Sequence, residues 1–343
     1  MGLTQEGYSP RVVQLAVRQA AKTSFAQARE DLQELADLSI SPTHLRRLCE
    51  RVGGEMAVQR DADVEAFRQQ QLQPVPAAPP VVAAVMLDGG RVQTRAEEQG
   101  RGVHEPGWQE TKAACCLSLS STEKAIDPQP QPPPKLLDPP QMVRLAAEIK
   151  ARGQGSGPRP ARPERAGKPK RRRPSSRRRR QPRPLVRTVL ASMADSETFG
   201  WQVAAEVQRR RLGEARRKAC VCDGQKWNWT IFALHLLPLG FLGILDFIHL
   251  AVHLYAAACA AAGKGAEAWP LYEQWLRWAW SGEVTALLKG LKHQAALRGE
   301  PPAGVKEDDP RKILADAVGY VRNNRDKMNY PEYRRQGLPI SSA

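Results

Sequence analysis

Two apolar runs of this chain close on Asp-Gly and a third closes on Asp-x-x-His. They are VVAAVMLDGG through Asp88, ACVCDG through Asp223, and LGILDFIH from Asp246 to His249. An apolar run that ends in a carboxylate reads as a buried strand delivering an acid at its end. Aspartates leaving neighbouring strands lie side by side and can share divalent metal. Hard oxygen donors suit Mg²⁺ (or Mn²⁺), which keeps several waters for a phosphate and a nucleophile. Two such ions roughly 4 Å apart stabilise the attacking and leaving oxygens of an in-line phosphoryl displacement. Asp-Gly alone is a weak signal because it is also a favoured hairpin dipeptide, and for Asp88 taken singly the turn reading is the stronger one. Cys220 and Cys222 lack a second Cys/His pair at zinc spacing and read as small residues of a buried strand.

The elements that must position these residues are of two kinds. Residues 1–73 read as helices. Ser9-Pro10 and Ser41-Pro42 are each a cap followed by proline at the first helical position, and Ser24 can cap a helix between them. In the third helix Leu45, Leu48 and Val52 point inward, His44, Arg46, Arg47 and Arg51 point to solvent, and Gly53-Gly54 is expected to end it. Helix, short turn and basic-faced helix fit a DNA-reading helix-turn-helix, and fit an ordinary small bundle equally.

From residue 81 the period changes. VVAAVML is a continuous apolar strand of the sort covered on both faces, Asp88-Gly89-Gly90 signals a hairpin, and RVQTR alternates as its partner. Residues 111–119 read as a third strand. Further on, a helix at 195–213, strands at 219–222 and 241–245, and a wholly helical remainder complete the pattern. Trp269, Trp275, Trp278 and Trp280 stand at near-helical spacing and read as core rather than as base-stacking groups.

Between these blocks lies a segment of different character. Residues 128–184 hold fourteen of the 28 prolines, and residues 159–187 hold fourteen Lys/Arg against one Glu, so most of the +16 net charge is local. Residues 139–152 read as a short helix; residues 154–184 cannot offset their ordering entropy and read as disordered. Lys168, Lys170, Arg171, Arg172, Arg173, Arg177, Arg178, Arg179 and Arg180 would attract DNA phosphates, or form a linker with incidental charge. Six cysteines without disulfide spacing and a first segment without an apolar signal core point to a reducing cytoplasm. The apolar stretch from 231 is broken by His235, Pro238 and Asp246 and is too short to span a membrane.

The stretches MLDGGRVQTR with WQETK, VCDGQKWNW, ILDFIHLAVHLYAAA and YVRNNRDKMNYPEYRRQGLPISSA together resemble the transposases of bacterial insertion sequences that use an Asp-Asp-Glu site, especially the Kra-type group related to Mutator-like elements. The resemblance spans about 81–120 and 219–343, and more loosely the first helices. It implies an α/β fold with an RNase H-like core, here in two parts (81–120 and 188–262) split by a disordered Pro/Arg-rich insert (121–187). A helix-turn-helix-like domain (1–73) would precede it and an all-α insertion domain (263–343) would follow. Asp88 and Asp223 match the first and second metal-binding carboxylates, with Asp246 and His249 in a supporting element beside them. His253, one turn further, faces the same way and reads as helix packing.

The implied activity is Mg²⁺-dependent cleavage and strand transfer on double-stranded DNA, at element ends and target, by a homo-oligomer in the bacterial cytoplasm and nucleoid, without a membrane. In the family a helix bearing the catalytic Glu follows a GLPIxS stretch. Here the chain reads GLPISSA at its end, while Glu332 sits in a proline-bounded turn and Glu307 to Asp309 reads as a cap. The expectation is therefore a truncated, catalytically impaired transposase. The alternative is a non-catalytic DNA-binding protein derived from one, and an RNA-processing nuclease on the same fold is weaker.

Overall fold

A computed structural model describes residues 7–94, 107–154, 182–263 and 265–342. The chain divides into two compact units, Met1–Leu72 and Gln73–Ala343.

The first unit is three helices, α1 (Pro10–Ala20), α2 (Phe25–Ala36) and α3 (Pro42–Arg68). Ser9, Ser24 and Ser41 cap them as the residue types require, each hydroxyl accepting a backbone N–H. Ala16, Ala28, Leu32, Leu45 and Leu48 form the core. The expected stop at Gly53-Gly54 is wrong: α3 runs through it for 27 residues. Glycine ends a helix when it turns left-handed, and neither does so here. Both glycines are solvent-exposed; the i,i+4 pair Arg51–Glu55 (2.9 Å) spans them, and Arg46–Glu50 (2.5 Å) lies in the turn before.

The second unit is a mixed α/β structure around a five-stranded sheet. Its strands are β1 (Val82–Thr94), β2 (Gly107–Ser120), β3 (Arg183–Ser192), β4 (Arg217–Cys222) and β5 (Leu242–Leu245), in the order β3-β2-β1-β4-β5. β1 pairs antiparallel with β2 and parallel with β4, β2 pairs antiparallel with β3, and β4 parallel with β5. Strand alternation splits the core in two. Ala83, Val85, Leu87, Cys220 and Cys222 face α5 (Ser196–Arg209) and the turn of helix after α6 (Lys226–Ile231). Val82, Ala84, Ala219 and Val221 face α7 (Phe247–Ala262) and the helices beyond it. Because both faces are covered, β1 opens as a continuous apolar run rather than an alternating one.

Two corrections follow for this unit. No hairpin forms at Asp88-Gly89-Gly90. These residues continue β1, opposite Ala113, Lys112 and Thr111 of β2, and no positive φ appears there to make the turn. RVQTR is the end of the same strand, and the β1–β2 connection lies in residues outside those described. β3 was not anticipated at all: it begins inside the stretch read as disordered, and the rest of that stretch, residues 155–181, lies outside the described residues. An edge strand with an Arg-Pro start and exposed apolar side chains (Leu185, Val186, Val189) has no burial pattern to reveal it. Its pairing to β2 is reinforced by Arg210, which donates to Cys116 O, Ser118 Oγ and Thr188 Oγ1.

The remaining helices are α4 (Pro139–Gln154), α8 (Trp269–Trp280), α9 (Val284–Arg298), α10 (Pro310–Asn324) and α11 (Tyr330–Arg335). They extend the α7-side core, with Trp275 fully enclosed, Trp280 buried, and Trp269 and Trp278 packed against it. Glu332 belongs to α11, not to a turn. Among the described residues no helix is long and apolar enough to cross a membrane.

Candidate metal centre

Residue parity explains why the aspartates meet. In β1 the even-numbered residues Val82 and Ala84 face α7, so Asp88 does too. In β4 Ala219 and Val221 face α7, and Asp223 is the next odd-numbered position. The two strands are parallel neighbours, with Leu87 paired to Cys222, so the carboxylates leave the sheet side by side. His249 comes from the first turn of α7, which starts directly after β5. Ligand atoms of Asp88, Asp223 and His249 all lie within 4.8 Å of one another.

Each group is held differently. Asp223 Oδ1 accepts the backbone N–H of Gln225 (3.0 Å) and the amide of buried Asn228 (2.7 Å). The Asp223 carbonyl accepts the hydroxyl of Tyr320 on α10 at 2.7 Å. Gly224 follows at φ +95°, and a Cβ there would stand 2.7 Å from the Tyr320 ring. Asp246, only 1% exposed, caps α7 by accepting the N–H groups of Ile248 (2.8 Å) and His249 (3.2 Å). Its other oxygen accepts the Ser342 N–H (2.7 Å) and hydroxyl (2.5 Å), which anchors the GLPISS segment beside the cluster. His249 Nδ1 stands 3.6 Å from Asp246 Oδ1, an ion-pair distance longer than a hydrogen bond, and finds no hydrogen-bond partner.

The electrostatics are those of crowded acids. Burial raises the Asp88 pKa and the Asp223 charge raises it further, against the pull of His249. Burial alone would lower the His249 pKa, but Asp246, Asp223 and Asp88 outweigh it and hold the imidazole above its ordinary value. Asp246 is desolvated too, yet His249 and Ser342 keep it below the usual carboxylate range.

Of the residues singled out from sequence, Asp88, Asp223 and His249 come together, with Asp246 directly behind His249. His253 stacks on Tyr320 (4.1 Å between ring centres) and burial lowers its pKa, as suits a packed histidine. Glu332 is engaged by Arg335 and Gln336, which hold its pKa down at about 2. In the first unit Arg46 and Arg47 are exposed and Arg51 is half-buried, Arg46 and Arg51 being paired with glutamates. Lys168, Lys170, Arg171, Arg172, Arg173, Arg177, Arg178, Arg179 and Arg180 lie outside the described residues. Sequence reasoning missed Asn228 and Tyr320. Asn228 is five residues past Asp223 and could have been suspected as its partner, whereas nothing local links Tyr320 to a site 97 residues away.

Comparisons with models of protein families, with curated proteins and with solved structures found no match to this chain.

Proposed function

We propose that this protein is a metal-dependent phosphoryl-transfer enzyme acting on DNA, a DDE-type transposase built on an RNase H-like core. The observation that carries this reading is the convergence of Asp88 and Asp223, from adjacent parallel strands, on His249. The strand order, with three antiparallel strands followed by two parallel ones, supports the RNase H-like assignment.

The residues present fit a divalent cation. Two carboxylates and one imidazole converge from three elements, and the burial and the neighbouring Asp223 charge that raise the Asp88 pKa are both offset by a bound cation. Bound there, Mg²⁺ or Mn²⁺ supplies charge neutralisation at the phosphate and an activated water. Asp88 and Asp223 would hold it with His249. Asn228 and the Gln225 N–H fix the Asp223 carboxylate, and Asp246 fixes the start of α7 from which His249 projects. In the same reading Arg46, Arg47 and the basic run at 159–187 attract double-stranded DNA, and the chain works as a homo-oligomer on DNA in the bacterial nucleoid.

The test is nicking of duplex DNA by the full chain with and without Mg²⁺ or Mn²⁺, repeated with Asp88→Asn and Asp223→Asn. Metal-dependent nicking lost in both variants supports the reading. Salt-sensitive DNA binding without nicking would replace it with a non-catalytic DNA-binding protein derived from a transposase.

A further inference from the structure

An open cleft of about 590 Å³ lies between α9 and the tight turn Arg325–Lys327 that follows α10. α9 contributes Thr285, Lys289 and Lys292, the two lysines three residues apart and therefore on one face. The opposite wall contributes Arg325, Asp326 and Asn329. Asp326 is already neutralised by Lys327 at 2.8 Å. Among the described residues Lys289, Lys292 and Arg325 form no close ion pair, and although Arg325 also acts on Asp326, the three exposed cations leave the shared concavity positive overall.

The chemistry of the lining selects among anions. Two ammonium groups, a guanidinium, a hydroxyl and an amide are the donor types that contact phosphate oxygens. Among the described residues no aromatic side chain lines the cleft for a base to stack on, so recognition through phosphate rather than base is favoured. All six polar residues are exposed, which suits an extended phosphodiester chain rather than an enclosed small ion. Lys327, in the turn that forms one wall of the cleft, places its ammonium 5.0 Å from the Trp229 ring of α6.

We propose that this cleft is a docking surface for the phosphate backbone of duplex DNA, gripping it without reading sequence. This rests on the reading of the protein as acting on DNA. It assigns a DNA-holding role to the helical segment itself, separate from the first unit and the basic run.

The experiment is a salt titration of duplex-DNA binding by fluorescence anisotropy, comparing the full chain with a triple variant Lys289→Gln, Lys292→Gln, Arg325→Gln. Three lost phosphate contacts should make the slope of log affinity against log salt shallower by about 2.7, and by a similar amount on unrelated sequences. Lys289→Arg with Lys292→Arg should keep the slope. These side chains are exposed, and an unchanged melting temperature confirms that the fold is retained. An unchanged slope in the triple variant, with normal wild-type binding, overturns the cleft assignment and leaves the DNA reading intact. Wild-type chain that binds no duplex overturns both. A triple variant that loses pyrophosphate binding but keeps the DNA slope overturns the assignment in favour of a free-phosphate site.

Discussion

Replacing Gly224 with alanine tests the clamp on Asp223. At φ +95° an L side chain is strained by about 1–3 kcal/mol. The new methyl would also stand 2.7 Å from Tyr320 Cε2 and 3.2 Å from Cζ. Tyr320 has little room to retreat, because its ring stacks on His253 at 4.1 Å and the backbone of α10 fixes its root. Moving it breaks the 2.7 Å bond to the Asp223 carbonyl, worth about 0.5–1.5 kcal/mol. Gly224→Ala should therefore destabilise the second unit by about 2–4 kcal/mol, read as a shift in urea midpoint at constant slope. Tyr320→Phe keeps the ring and removes the hydroxyl, so it should cost about 1 kcal/mol. The steric part is isolated by a double-mutant cycle. With Tyr320→Ala in place the clash disappears and only the backbone strain remains, giving a coupling of about 1–2 kcal/mol. Binding of Mn²⁺, followed by paramagnetic resonance, should weaken in Gly224→Ala in step with Asp223 displacement. A Gly224→Ala protein as stable as wild type, or strictly additive with Tyr320→Ala, would refute the clamp.

Two further outcomes follow from the packing. Asp127 lies against the buried guanidinium of Arg334, whose Nε donates to it at 2.9 Å. Burial would raise its pKa, but Arg334 and the Gln129 N–H outweigh that and hold it below the usual carboxylate range. A depressed folded pKa contributes stability above the unfolded value of about 3.9 and loses it as pH falls towards the folded one. Urea midpoints taken across pH 7 to 2 should drop below about pH 4, and Asp127→Asn should lower stability at pH 7 while flattening that drop. In the helical core, Trp275→Ala should cost about 3–5 kcal/mol by thermal or urea melting, whereas Leu35→Ala, at a side chain 79% exposed, should stay within about 0.5 kcal/mol.

What could be read in advance was what is encoded locally. Ser9-Pro10 and Ser41-Pro42 start helices because capping depends on neighbouring residues alone, and β1, β4 and β5 announce themselves by unbroken apolar runs. Asp88 and Asp223 stood out because a carboxylate closing such a run is conspicuous. What escaped depends on partners distant in the chain. β3 is a strand only because β2 offers it an edge, and Gly89-Gly90 remain extended because Lys112 and Thr111 pair with them instead of permitting a turn. Gly53-Gly54 failed as a stop because neither glycine turns left-handed, so the helix runs on through them. His249 was assigned to a supporting element beside the aspartates. Its position within ligand distance of both depends on where α7 leaves β5, a matter of strand order.

The two aspartates differ in how firmly the backbone holds them. Asp88 lies within a strand that is paired to β2 before and after it, so shifting it would break rungs of the ladder. Asp223 stands just past the last paired residue of β4, on a glycine joint steadied by one tyrosine. The pair resembles a caliper with one jaw cast into the frame and the other bolted on. The gap between the carboxylates is therefore set on the Asp223 side by side-chain bonds rather than by the ladder, and α10, far away in the chain, supplies one of them together with Asn228.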